Sequence, residues 1–145
     1  MIQRHGSVVV QTFVRLLVPL VQIFALYVLF FGHDSPGGGF QAGVMLGASY
    51  VLLALVFGPE ELHRRVNEPV CLALAATGVL LYLGTGLAGM LFGGTFLDYG
   101  GLPMGESPAQ ARYFGILFVE TGVGLAVAAT VVLLFCRLGD TAPPG

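Results

Sequence analysis

The sequence predicts an all-α integral membrane protein with four transmembrane helices and both termini in the cytoplasm. Two observations carry the membrane class. Of 145 residues, 56% are hydrophobic and only 10% charged, and the mean hydropathy is +0.88, outside the range of an ordinary soluble domain. The apolar residues are gathered into four runs, each suited to crossing a hydrocarbon core of ~30 Å at ~1.5 Å per helical residue. Arginine placement carries the orientation. Arg4, Arg15, Arg64, Arg65 and Arg137 fall on the terminus side of four spans and Arg112 alone on the other, and positive residues collect on the cytoplasmic face. One membrane domain over residues 1–145 is expected, with spans near 8–31, 40–57, 70–92 and 108–136.

The first span, Val8 to Phe31, carries Gln11, Arg15 and Gln22 in an otherwise largely apolar run. It is too long for the apolar part of a signal peptide and lacks a small-residue cleavage site, so it should stay as a membrane helix. Gln11, Arg15 and Gln22 share one helical face, which should meet protein or water. Arg15 lies near the inner boundary, where it either snorkels to headgroups or takes a functional partner.

Between the first two spans the chain reads GHDSPGGGFQAGVMLG, from Gly32 to Gly47. Pro36 fixes φ and lacks a donor, while Gly37, Gly38 and Gly39 can take backbone angles closed to other residues. No helix passes through such a stretch, so a tight turn at the outer membrane surface is expected. Phe40 then opens the second span. Gly39, Gly43 and Gly47 recur every four residues, a face that lets another backbone approach closely. His33 beside Asp34 is a candidate for passing protons at a cavity mouth, because histidine titrates near neutrality; the alternative is a residue that holds the turn.

Gly58-Pro59 ends the second span. The segment PEELHRRVNEP pairs Glu60 with Arg64 and Glu61 with Arg65 at helical spacing, which predicts one or two solvated surface turns. The third span, Val70 to Phe92, is uncharged and contains Gly78, Gly84, Gly86 and Gly89, so it reads as packing material. Gly93 to Glu106 mixes glycines with aromatic and aliphatic residues and has no assignable structure. Ser107-Pro-Ala-Gln110 matches a capping box with proline at the first helical position, the start of a last helix running to about Cys136. Arg112 and Tyr113 should anchor its outer part.

Glu120 lies inside that helix. A carboxyl at the centre of a membrane helix costs ~2.5–3.5 kcal/mol on insertion scales, and such groups usually face a bundle interior or a water-filled cavity. It is the leading candidate for binding and releasing a proton or ion; the alternative is a structural hydrogen bond to a neighbouring helix. Gly124 and Ala128 follow at spacing four, so its face is small. Arg15 sits near the inner end and Glu120 in the outer third, so separate partners are expected.

Several classes are disfavoured. The chain has no lysine and a net charge of −2, with no basic patch for nucleic acid. His5, His33 and His63 fall on opposite sides of the expected topology, and Cys71 and Cys136 form no metal-ligand pattern, so neither a metal nor another cofactor is expected. The two cysteines read as packing residues. No HExxH, GxSxG or phosphate-loop motif occurs, and Ser49, the one serine within a span, has no base beside it; no catalytic residue and no enzyme activity are expected.

The loop GHDSPGGGFQAG, together with the acid in FVETGVGLAV, resembles the MnhB family, the B subunits of the Mrp-type multisubunit sodium/proton antiporters. The likeness covers nearly the whole chain, although family members often have Asp where this chain has Glu120. It implies an accessory subunit of a complex that exchanges Na+ for H+ across the bacterial cytoplasmic membrane, with other membrane subunits and membrane lipid as partners. Related modules occur in hydrogenase-like membrane complexes. The large antiporter-like subunits carry the lysine and glutamate proton channels, and a chain without lysine cannot contain that channel by itself. A subunit of a hydrogenase-like complex and a self-sufficient homodimeric transporter coupled through Glu120 remain as alternatives.

Overall fold

The computed structural model describes residues 7–32, 34 and 37–140. It consists of α1 (Val8–Phe31), α2 (Gly39–Phe57), α3 (Pro59–Arg65), α4 (Glu68–Leu91) and α5 (Pro108–Asp140), with one 3-10 turn at Tyr99–Gly101. No strand occurs among the described residues. All but α3 are long and apolar enough to cross a membrane. The last helix continues past Cys136 to Asp140, and α4 begins at Glu68, two residues ahead of the apolar run, with Pro69 in its first turn where a missing N–H does no harm.

The helices form a row, not a closed bundle. α1 packs on α2, α2 on α5, and α5 on α4, so α5 is held from two sides. Glycines set both of its contacts. Gly78 of α4 and Gly122 of α5 face each other so closely that a Cβ built at Gly122 would lie 2.7 Å from the Gly78 carbonyl oxygen. Gly124, two residues on, faces α2 instead. Gly84, by contrast, meets nothing within 4 Å. At ~100° per residue it lies on the far side of α4 from Gly78, Gly86 and Gly89, so only those three are buried against protein.

At the end bearing α3, Leu62 is fully buried and joins Ala54, Cys71, Ala129 and Val132 in a core cluster, with Cys136 packed on it. The cysteines are free thiols there. In the segment from Pro59 to Pro69, Arg65 Nε donates to Glu61 Oε1 at 2.8 Å, and Arg137 of α5 pairs with Glu68 of α4. His63 Nδ1 lies 2.8 Å from the Pro59 carbonyl oxygen.

The segment between α4 and α5 folds back onto both. The Phe96 ring occupies the space a side chain at Gly86 would need and meets Tyr82 edge to face at 6.4 Å. Tyr99 packs into the gap left by Gly115, and Leu102 is buried. The start of α5 is capped as a variant of the box: Ser107 Oγ accepts from the Gln110 N–H at 3.3 Å, but Gln110 Oε1 accepts from Glu106, one residue before the cap. Phe96→Ala removes the aromatic pair and empties the Gly86 socket. The pair alone contributes about 0.5–1.5 kcal/mol beyond its buried area, so the expected result is a loss of at least that size, read as lower thermal stability in detergent with faster amide exchange confined to residues 93–106.

Candidate functional site

The site is built where α2 begins. α2 and α5 run parallel, with Gly39 beside Glu120, Gly43 beside Gly124 and Gly47 beside Ala128. A Cβ at Gly43 would lie 2.7 Å from the Gly124 carbonyl oxygen, and one at Gly47 would lie 3.2 Å from that of Ala128. A Cβ at Gly39 would overlap the Glu120 carbonyl. The glycine face of α2 is thus consumed within the chain, against the small face of α5, and is not left for another subunit.

That approach delivers the Glu120 carboxylate to the first turn of α2. The Gly39 N–H donates to Glu120 Oε2. The residue in the capping position, Gly38, has no side chain to offer, so a carboxylate from a helix 81 residues away in sequence supplies the acceptor. The first N–H groups of a helix lack internal partners and concentrate partial positive charge, which favours an anion there. Gly38 has φ +149°, in the region L side chains avoid, and a Cβ there would lie 2.8 Å from Glu120 Oε2. Gly38 and Gly39 are both buried, and Glu120 is half-buried.

The rest of the predicted set divides. Gly32 sits under the same turn, where a Cβ would be 2.6 Å from the Gly38 nitrogen, and Gly37 packs on Val28. Asp34 lies on an exposed turn, with its N–H donating to the Phe31 carbonyl at 3.3 Å. Phe40 points outward and is 64% exposed. Arg15 is at the other end of the molecule, its guanidinium 5.2 Å from the centre of the Phe57 ring; Arg15 and Glu120 have separate partners. His33 and Pro36 lie outside the described residues, as do Arg4 and His5.

Two polar contacts have partners that the sequence does not name, although Gln22 lies on the face expected to meet protein. Gln22 Nε2 donates to Ser49 Oγ at 3.2 Å, and Ser49 Oγ donates to the Leu46 carbonyl at 2.7 Å. This ties α1 to α2 within the apolar layer and explains why both residues are tolerated there. Tyr99 stands close enough to Glu120 to feel its charge: burial pushes the Tyr99 hydroxyl above its ordinary value, with Tyr82 and Glu120 adding to the rise. The signal for Tyr99 was an aromatic residue in a glycine-rich segment, which does not say where the ring docks.

Known proteins resemble this chain over the same region. Residues 9–133 match the family model described as a domain related to the MnhB subunit of Na+/H+ antiporter, a range that includes the α2–α5 contact. The chain is 30% identical over 137 residues to the Na+/H+ antiporter B subunit of Bacillus subtilis, covering 89% of this chain and 95% of that one. It is 27% identical to the Na+/H+ antiporter B subunit of Alkalihalophilus pseudofirmus, covering 88% and 94%. With the putative antiporter subunit mnhB2 of Staphylococcus aureus it shares 29% over 93% and 96%.

Proposed function

Since the chain belongs to the MnhB family, we propose that it is an accessory membrane subunit of a multisubunit Na+/H+ antiporter and that Glu120 takes part in its ion or proton transfer. It is a multi-pass protein of the bacterial inner membrane. The observation that carries the role of Glu120 is its carboxylate, held by the Gly39 N–H at the start of α2. A proton or a cation arriving at that carboxylate competes with the helix N-terminus for the same oxygen atoms. Charge at Glu120 is thereby linked to the position of the Gly37–Gly39 turn, and a change in one biases the other.

The orientation follows from charge. Arg15, Arg64, Arg65 and Arg137 lie at the end where α1 starts and α5 finishes, and Arg112 lies at the opposite end beside Gly100. On the positive-inside rule the termini face the cytoplasm and the Glu120 end faces out.

The relatives are antiporter B subunits, which favours an assembly over a homodimeric transporter and over a hydrogenase-like complex. Large exposed apolar side chains along α1, among them Leu16, Leu20, Ile23, Phe24 and Phe31, supply surface for neighbouring subunits as well as lipid. Purification of the tagged chain from its own membranes in mild detergent tests this reading. Several other membrane subunits should be recovered with it. A pure homodimer that exchanges Na+ for H+ in liposomes overturns it.

A further inference from the structure

The geometry points to a phospholipid site in the groove between α2 and α4, with one acyl chain lying over α5 and the phosphate at Arg65 and Asn67. The groove exists because α2 and α4 both pack on α5 from either side, leaving a gap of about 310 Å³. Its walls are apolar, formed chiefly by Tyr50, Val70, Leu74, Leu125 and Val132, and its polar residues Arg65 and Asn67 belong to the turn that leads from α3 into α4. Leu125 to Val132 spans ~10 Å along α5 at ~1.5 Å per residue. Hydrocarbon belongs along that length, and a headgroup at its end.

The lining decides among occupants. An apolar wall that ends in Arg65 and Asn67 matches an amphiphile with a hydrocarbon tail and a charged head. A void open to the membrane core is filled, because unfilled walls forfeit dispersion contacts. Charge supports the same choice. α3 ends in His63, Arg64 and Arg65, and Arg65 uses its Nε on Glu61 at 2.8 Å, which orients a guanidinium with further donors suited to phosphate oxygens. Leu62, fully buried beneath α3, fixes that helix so that the arginine stays at the mouth. This site is independent of which ion the complex carries.

The test uses the assembled complex in membranes supplied with a phospholipid bearing a photoactivatable diazirine on its acyl chain. Labelled peptides should concentrate on residues 70–74 and 125–132 relative to the exposed α1 face at Leu20, Ile23 and Phe24. Arg65→Ala should lower the groove label several-fold without changing the α1 label, and Arg65→Lys should restore part of it. Val70→Phe, which narrows the groove without touching the charge, should lower the label as well, and serves if Arg65→Ala reduces recovery of the complex. Uniform labelling of α1 and the groove overturns the proposal. So does groove labelling indifferent to both substitutions, or a groove without label.

Discussion

Gly39→Ala should remove the subunit from the complex. The added Cβ falls on the Glu120 carbonyl, and backbone on both sides leaves no flexible side chain to turn away. Relief requires α2 and α5 to separate along the whole Gly39, Gly43, Gly47 face. Overpacking of this kind costs about 1–3 kcal/mol in ordinary cores, and here the hydrogen bond from Gly39 to Glu120 is lost with it. Gly84→Ala is the matched control, because that Cβ meets open space and alanine favours the helix by about 0.5–1 kcal/mol over glycine. Immunoblots of membranes and of the purified complex should show near-complete loss for the first and normal recovery for the second.

Glu120→Ala should be the second severe lesion. It leaves the α2 N-terminus without its acceptor, since Gly38 offers no side chain. Loss of a cap costs about 0.5–2 kcal/mol, and an unsatisfied buried N–H accounts for about 1–3 kcal/mol when no replacement partner arrives. Glu120→Gln should behave differently, because its amide oxygen still accepts from Gly39. The expected order of subunit recovery is wild type, then Glu120→Gln close behind, then Glu120→Ala far below. Equal recovery of all three shows that the cap does not hold the turn.

The four spans are legible because apolar runs of membrane length need no tertiary information. The small faces of α2 and α5 are legible too, as spacing-four repeats at Gly39, Gly43 and Gly47 and at Glu120, Gly124 and Ala128. What the sequence does not show is that each repeat is the other's partner. That depends on parallel packing at one fixed offset, which local composition does not encode. The glycines of α4 mislead for a related reason: Gly84 reads like its neighbours until the helical angle puts it on the opposite face. The segment from Gly93 to Glu106 is unreadable because the sockets that order it, Gly86 and Gly115, belong to α4 and α5.

The central claim is that the carboxylate of Glu120 does chemistry beyond holding the start of α2. Na+-dependent proton movement in everted membrane vesicles, measured for Glu120→Gln beside the amount of complex in the same vesicles, tests it most directly. The account predicts a normal amount of complex with exchange largely lost. Normal exchange by a fully assembled Glu120→Gln complex contradicts it and reduces Glu120 to a hydrogen-bond acceptor.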